Sequence, residues 1–462
     1  MQTQDVDVVV VGLGPGGEDI AGQLAEAGLI VVGVEHHLVG GECPYYGCIP
    51  SKMIIRAADL LQEARRVNTM SGVATVTPDF SIVAHRIRSE ATDDWDDTVA
   101  VKRFVDKGGI FVRGRGELTG PGTVVVGDSQ YRARRGIVLA TGTSPALPPI
   151  AGLAEAAPWT NRDVVKVSAV PASLIVLGGG AIGLEFAQAF SRFGTKVTVI
   201  EGADRILAPE EPESSALLTR VLIGEGIEVL SGVAVSGVKR ADNGSITVSF
   251  VDRPDVLADE ILVAAGRRPN IGNLGLESVG IDASARPAFT VDEHMRVVGA
   301  DRLWAVGDIA GLGAFTHMAV YEAGIAADDI LGVASPRLAE SHAVSRVTFT
   351  DPEVGSVGLT EAQARAAGLN VAVGFADSST SSRGWLHSEG NEGLMKLIVD
   401  VDRDILVGAS SVGPRGGEVL GLFNLAVHAR VPVSTLRTMI YAYPTFYRGA
   451  LDALADVGAA KG

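Results

Sequence analysis

The chain opens on a strand-like apolar run: positions 6–11 read Val-Asp-Val-Val-Val-Val, the pattern of a strand covered on both faces. A glycine-rich turn, Gly12-Leu13-Gly14-Pro15-Gly16-Gly17, comes next, then a helical stretch ending near Gly28. A second apolar run, Leu29 to Val34, closes on Glu35. The pattern then recurs. Leu174-Ile175-Val176-Leu177 leads into Gly178-Gly179-Gly180-Ala181-Ile182-Gly183, a helix expected to reach Gly194, and a strand from Lys196 to Ile200 ending at Glu201. A second echo links Val138-Leu139-Ala140-Thr141-Gly142-x-x-Pro145 with Leu262-Val263-Ala264-Ala265-Gly266-x-x-Pro269. Two nested copies of one α/β unit explain both echoes.

Strand, G-x-G-x-x-G, helix, strand and terminal acid form the dinucleotide fingerprint in its full context. The glycines Gly12, Gly14, Gly16 and Gly17, with Pro15 among them, let backbone approach a pyrophosphate seated on a helix N-terminus. Glu35 is placed to accept from a ribose hydroxyl. Two such units imply two dinucleotides and electron transfer between them. Residues 54–110 read as two helices, with Asp93, Asp94, Asp96 and Asp97 as a solvated patch, and 110–135 as short strands. Leu303–Gly307 is another buried strand that delivers Asp308, followed by a helix from His317 to Ile330. Beyond residue 338 the rhythm becomes antiparallel: strands at Arg346–Thr350, Val354–Leu359, Val371–Phe375, Gly393–Val399 and Ile405–Gly413. Helices near 416–430 and 433–441 follow, with a last one opening at Pro444, a favoured first position. The expected fold is α/β: two nested Rossmann-like dinucleotide-binding domains plus a C-terminal α+β dimerisation domain with an antiparallel sheet. The boundaries expected are 1–150 and 271–338 for the first nucleotide domain, 151–270 for the second, and 339–462 for the interface domain.

Composition narrows the function. A formal charge of −16 argues against a nucleic-acid groove or an anionic membrane surface as partner. The uncharged stretch 167–184 has the length to suggest a membrane span, but Pro171 and four glycines make strand-turn-helix the better reading. Met-Gln-Thr-Gln-Asp at the N-terminus has no basic stretch and is not expected to be a secretory signal. Two cysteines make no disulfide framework for a chain of this size, so a cytoplasmic setting is expected. No metal site is expected.

Those two cysteines, Cys43 and Cys48, lie in Gly40-Gly41-Glu42-Cys43-Pro44-Tyr45-Tyr46-Gly47-Cys48-Ile49-Pro50-Ser51-Lys52. Five residues of regular helix span about 7.5 Å, whereas a disulfide wants Cα atoms roughly 4.4–6.8 Å apart. A bonded pair therefore needs a bend, which Pro44 and Gly47 would supply. The spacing alone leaves a redox couple and two packed thiols both open.

Taken in order and spacing, Gly12–Gly17, Cys43–Lys52, Thr141–Pro145, Gly178–Glu185, Gly266–Pro269, Gly307–Asp308 and Asp351-Pro352-Glu353 resemble the flavoprotein disulfide reductases. This family is also called the pyridine nucleotide-disulfide oxidoreductases, and dihydrolipoamide dehydrogenase and mercuric reductase are members. The resemblance covers essentially the whole chain. It implies a homodimer and an electron path from a nicotinamide held at Gly178, Gly180, Ile182 and Gly183 to FAD, and then to a Cys43–Cys48 bridge. FAD would be held by the first glycine loop, Glu35, Gly41, Glu42, Lys52, Thr141, Gly142 and Asp308, and Gly266 is a further cofactor-binding position. The resemblance makes Cys48 the flavin-side sulfur and Cys43 the outward thiolate that attacks the acceptor, with Lys52 and Glu185 near the flavin's reactive nitrogen. Glu201 favours NADH by repelling the extra phosphate of NADPH, and Arg205 lies near enough in sequence to admit NADPH.

The chain departs from the family at its end. Disulfide-reducing members carry His-Pro-Thr-x-x-Glu; here stand Tyr443-Pro444-Thr445-Phe446-Tyr447-Arg448. A phenol titrating near 10 is a poor acid–base group at neutral pH, and mercuric reductase also has Tyr there. Its C-terminal cysteine pair is absent. Tyr45 and Tyr46 between the cysteines are a further departure: they line an acceptor pocket or pack in a core. Trp385 is read as a mouth residue or an interface anchor. The leading expectation is an FAD-containing NAD(P)H oxidoreductase acting on a metal ion, a quinone or an unusual disulfide. The alternatives are a dihydrolipoamide dehydrogenase-like enzyme using Tyr443 or water as proton donor, and a redox-sensing flavoprotein of low turnover.

Overall fold

The computed structural model describes residues 2–282, 288–334 and 336–459. They group into two compact units: Met1–Pro50, His85–Ala146 and Arg267–Ser341 form one; Ser51–Ala84, Leu147–Gly266 and His342–Gly462 form the other.

The first unit is built on a seven-stranded sheet. Strand Gln2–Val11 lies at its centre, parallel to Val31–Glu35 on one side and to Ser129–Leu139 on the other. Ile110–Arg113 and Leu303–Ala305 extend the parallel part, while Thr123–Val126 and Glu117–Gly120 add an antiparallel ribbon. The β-branched run at 6–11 is explained by its surroundings: Val8 and Val10 enter one core, Val9 and Val11 the core on the opposite face. Helices Pro15–Glu26 and Thr316–Leu331 pack together. The two echoing segments meet, Thr143–Pro145 pairing antiparallel with Arg267–Pro269.

The second unit holds a four-stranded parallel sheet in the order Glu228–Leu230, Lys196–Ile200, Ser173–Leu177, Glu260–Val263. A three-stranded antiparallel ribbon, Val235–Arg240, Ile246–Phe250 and Val256–Ala258, accompanies it. Its C-terminal part is a five-stranded antiparallel sheet ordered Ser345–Thr348, Glu353–Gly358, Ile405–Gly413, Leu394–Asp400, Val371–Asp377. Helices Gly416–His428 and Gly449–Ala459 cover it. The uncharged stretch 167–184 is strand Ser173–Leu177 and the start of helix Ala181–Arg192. Among the described residues no helix is long and apolar enough to cross a membrane.

Three local expectations are corrected. Residues 54–110 are not two helices: Cys48–Met70 is one long helix, followed by Phe80–Arg86 with a π-helical continuation at Ile87–Ala91, and then Thr98–Asp106. Left-handed Asp93, Asp94 and Trp95 separate the last two, a backbone state a helix cannot contain. Asp97 does not belong to a solvated patch, because its carboxylate accepts from the Val39 amide and from Arg113. No helix opens at Pro444. Thr445 is extended, and Ala442 N–H donates to the Tyr447 hydroxyl, so the chain turns before helix Gly449–Ala459 begins.

Candidate functional site

In the first unit, Gly12 is left-handed (φ 93°), and a Cβ on Gly17 would run into the Gly12 carbonyl. Helix Pro15–Glu26 thus starts directly under the strand, with proline at its first position. A Cβ on Gly14, the residue before the helix, would meet nothing within 4 Å, which leaves room beside the helix N-terminus, where an anion site is expected. Glu35 does not wait for a ligand. Its Oε2 accepts from Leu13 N–H at 2.8 Å and its Oε1 from His37 N–H at 2.7 Å. Burial pushes the carboxyl up, but these bonds and His36 outweigh it and hold it below its usual range. Oε2 keeps a second lone pair for a ribose hydroxyl.

Asp308 accepts from the Thr143 hydroxyl. Arg267 in turn donates to the Thr143 hydroxyl and carbonyl at 2.7 and 2.8 Å, and approaches Glu42 at 3.3 Å. Thr141 and Asn270 exchange hydrogen bonds beside Gly142. A continuous polar chain therefore links Asp308 to Glu42, the residue before Cys43.

The cysteine segment is bent as the spacing required: left-handed Gly41, one helical turn Glu42–Tyr45, then a new helix from Cys48. Both cysteines are thiols in this structure. The hydrogen bond from its partner sulfur is the chief reason that Cys43 holds its proton well above the usual thiol range, with burial second. Thr316 Oγ1 lies 3.5 Å from Cys48 Sγ, at the first turn of its helix. In the chain by itself Cys48 is exposed and Cys43 half-buried; Cys43 is wrapped in the short turn, and Cys48 starts a helix. Tyr45 and Tyr46 are buried within the chain. Trp95 donates to the Tyr45 carbonyl, and Tyr46 contacts His37. Burial, with Asp97 next, pushes the Tyr45 phenol up to about 12.

The second unit repeats the loop geometry. A Cβ on Gly183 would meet the Gly178 carbonyl, and one on Gly180 would meet nothing. Ile182 lies in the first turn of helix Ala181–Arg192 and is exposed. Glu201 copies Glu35, accepting from Gly179 N–H at 2.6 Å and Ala203 N–H at 2.7 Å. Arg205 is tied to the carbonyls of Leu207, Ala208 and Glu210. Lys52 and Glu185, 133 residues apart, form an ion pair at 2.8 Å. Glu185 is buried and also accepts from Phe349 N–H, while Lys52 sits 4.6 Å from the Phe349 ring centroid. Tyr443 is exposed, and the Arg448 guanidinium lies 5.5 Å from its ring centroid. The two residues that replace the family's His and Glu therefore touch each other. Trp385 is exposed. No group of three or more His, Cys, Asp or Glu among the described residues could hold a metal ion.

Residues 6–323 match the family model of pyridine nucleotide-disulphide oxidoreductases, and residues 344–453 that family's dimerisation domain. The chain belongs to this family. Among its relatives, a dihydrolipoyl dehydrogenase of Thermus scotoductus is 33% identical, with 97% of this chain and 96% of that protein covered. A mercuric reductase of Staphylococcus aureus is 30% identical over 96% of this chain and 81% of that protein. In three dimensions the chain is similar to a Cu(II) complex of the HOCl-induced flavoprotein disulfide reductase RclA from Escherichia coli. That match has a TM-score of 0.85 and 25% identity, covering 98% of this chain and 99% of the other. LpdA from Mycobacterium tuberculosis matches with the same values.

Pyridine nucleotide-disulphide oxidoreductases are FAD-dependent and bind NAD(P)H, and the two open glycine loops with their acids fit two dinucleotides. Sequence reading missed Thr316, Thr143, Arg267, Asn270 and Glu322. Thr143 and Arg267 stood at the unassigned x positions of the echoed motifs, where only the pairing of the two segments reveals them. Thr316 carried no signal, because its sulfur partner is 268 residues away.

Proposed function

We propose that this chain is an FAD-dependent, NADH-preferring oxidoreductase whose Cys43–Cys48 couple delivers electrons to a thiophilic metal ion. Bound FAD supplies two-electron transfer between a nicotinamide and a disulfide. The first glycine loop, Glu35, Gly41, Glu42, Thr141, Gly142 and Asp308 would hold it. Gly178, Gly180, Ile182, Gly183 and Glu201 would hold the nicotinamide nucleotide. Glu201 with both oxygens on its own loop, and Arg205 spent on three carbonyls, support NADH.

The observation that carries the choice of acceptor is the Tyr443–Arg448 contact. Breaking a disulfide or forming a hydroquinone needs a proton for each departing or accepting atom. A metal ion bound by thiolate accepts electrons and needs none. With Tyr443 and Arg448 in place of the His and Glu, no imidazole stands there to hand over a proton, so of the three acceptor classes the metal ion fits best. The mercuric reductase and Cu(II)-complex relatives support the same reading. Tyr443 would serve across a homodimer interface, near the partner's copy of the cysteine pair. A working thiol pair suits a reducing, cytoplasmic compartment.

The test follows NADH oxidation with Cu(II), Hg(II), a quinone and lipoamide as acceptors, in wild type and Cys43→Ser. Metal reduction should be fastest and should vanish in the variant, while direct quinone reduction survives. Lipoamide turnover as fast as metal turnover would defeat the proposal in favour of the dihydrolipoyl dehydrogenase reading, which the 33% identity supports. Slow reoxidation by every acceptor would favour a redox sensor.

A further inference from the structure

Glu322 has no solvent exposure. It lies on helix Thr316–Leu331 of the first unit. Its Oε2 accepts from Gly307 N–H at 2.6 Å. Its Oε1 has no hydrogen-bond partner among the described residues. Gly307 is left-handed (φ 77°) and immediately precedes Asp308. The peptide that Glu322 grips, Val306–Gly307, therefore fixes the left-handed residue from which Asp308 departs.

One amide is poor support for a fully buried charge, since buried carboxylates need pairing or several donors. Among the described residues the charged group that acts on Glu322 is the Asp308 carboxylate, which repels a second negative charge. The other acids around it are engaged elsewhere. On its own helix Asp328 pairs with Arg337 and Asp329 with Arg296, and the Tyr321 hydroxyl donates to the Leu338 carbonyl. On the packed helix Pro15–Glu26, Glu18 pairs with Arg103, Glu26 with Lys107, and Asp19 accepts from Gln23. Burial first, and Asp308, push the Glu322 carboxyl up to about 8 against the pull of the Gly307 amide. Since Oε2 accepts, the proton sits on Oε1.

Placement supplies the rest. One turn earlier on the same helix, the Ala319 carbonyl would be met at 2.9 Å by a Cβ on Gly16, and the Ala319 side chain at 3.5 Å by a Cβ on Gly307. This helix therefore underlies both the glycine loop and the Asp308 turn.

We propose that Glu322 is a proton-holding positioning residue: as a neutral acid it clamps the Gly307 peptide and orients Asp308, and its ionisation weakens FAD binding. An ionised Glu322 would set a second buried negative charge beside Asp308, beneath the place where the two phosphate charges of FAD are expected. The inference rests on the reading that Asp308 and the first glycine loop hold FAD.

The experiment measures FAD dissociation from the full-length holoenzyme by the fluorescence of released flavin, from neutral to alkaline pH. In wild type the dissociation constant should rise by about tenfold per pH unit above pH 8, the limit for one linked proton. In Glu322→Gln, which keeps an acceptor for Gly307 and a donor at the other position without a charge, it should stay flat. A flat wild-type curve, or the same rise in Glu322→Gln, overturns the proposal. Should that variant fail to fold, calorimetry of FAD binding to full-length wild type, in two buffers of different ionisation enthalpy, decides alone. About 0.8 proton should be taken up per FAD at pH 8.5 and about 0.1 at pH 7, and no uptake at pH 8.5 overturns it. Failure to bind FAD even at pH 7 would instead defeat the underlying site reading.

Discussion

Thr316→Val removes one hydroxyl from the sulfur couple while keeping the side chain's shape. Thr316 Oγ1 stands 3.5 Å from Cys48 Sγ, and this hydroxyl also draws the Cys43 thiol down against the larger upward effects of Cys48 and burial. In the reduced protein the hydroxyl donates to whichever sulfur is ionised. A hydrogen bond to a charged group contributes about 1.5–3 kcal/mol. Cys48 is exposed, so water replaces part of that, and the low end applies: about 1.5 kcal/mol, or about one pH unit. The assay is the rate of alkylation by iodoacetamide as a function of pH on fully reduced full-length protein. The first deprotonation of the pair, a property of both sulfurs together, should move up by about one unit. A midpoint unmoved or shifted downward would refute the claim that Thr316 stabilises the thiolate.

Three further outcomes are expected. Arg192, almost wholly buried, binds Asp59, Glu225 and Asp351; Arg192→Met should cost about 3–5 kcal/mol in denaturant unfolding at pH 7. Because Asp59 is already pushed up to about 6 by burial and loses its cation in the variant, that deficit should shrink at pH 5, where the carboxyls take up protons; an equal deficit at both pH values would contradict the assignment. Glu201→Gln should lower the ratio of kcat/KM for NADH over NADPH by about tenfold, equivalent to about 1.4 kcal/mol, and an unchanged ratio would remove Glu201 from cofactor choice. Ile440 is 96% exposed within the dimerisation domain; Ile440→Asp should shift sedimentation toward monomer, and an unaltered mass would place the interface elsewhere.

The nucleotide loops were legible because their chemistry is local: strand, glycines, helix and acid follow one another within about thirty residues. The five antiparallel strands were legible because alternation is a two-residue signal, and each expected strand has its counterpart between Ser345 and Gly413. Proline at 444 misled, since its helix-starting preference yields to the extended Thr445 and the Ala442–Tyr447 bond. The three aspartates of the run that do lie exposed, 93, 94 and 96, gave no hint that Asp97 is captured by Val39 and Arg113. Lys52–Glu185 was reached only through the family resemblance, and Glu322 not at all. A buried carboxyl on an apolar helix announces nothing until Gly307, fifteen residues away, folds onto it.

Anaerobic titration of the purified holoenzyme with NADH, followed by absorbance and by thiol labelling, bears most directly on the proposed electron route. The account predicts that a long-wavelength thiolate–flavin band grows while Cys43 and Cys48 become reactive to a thiol reagent. Complete bleaching of the flavin with both sulfurs still unreactive would show that electrons never reach the couple.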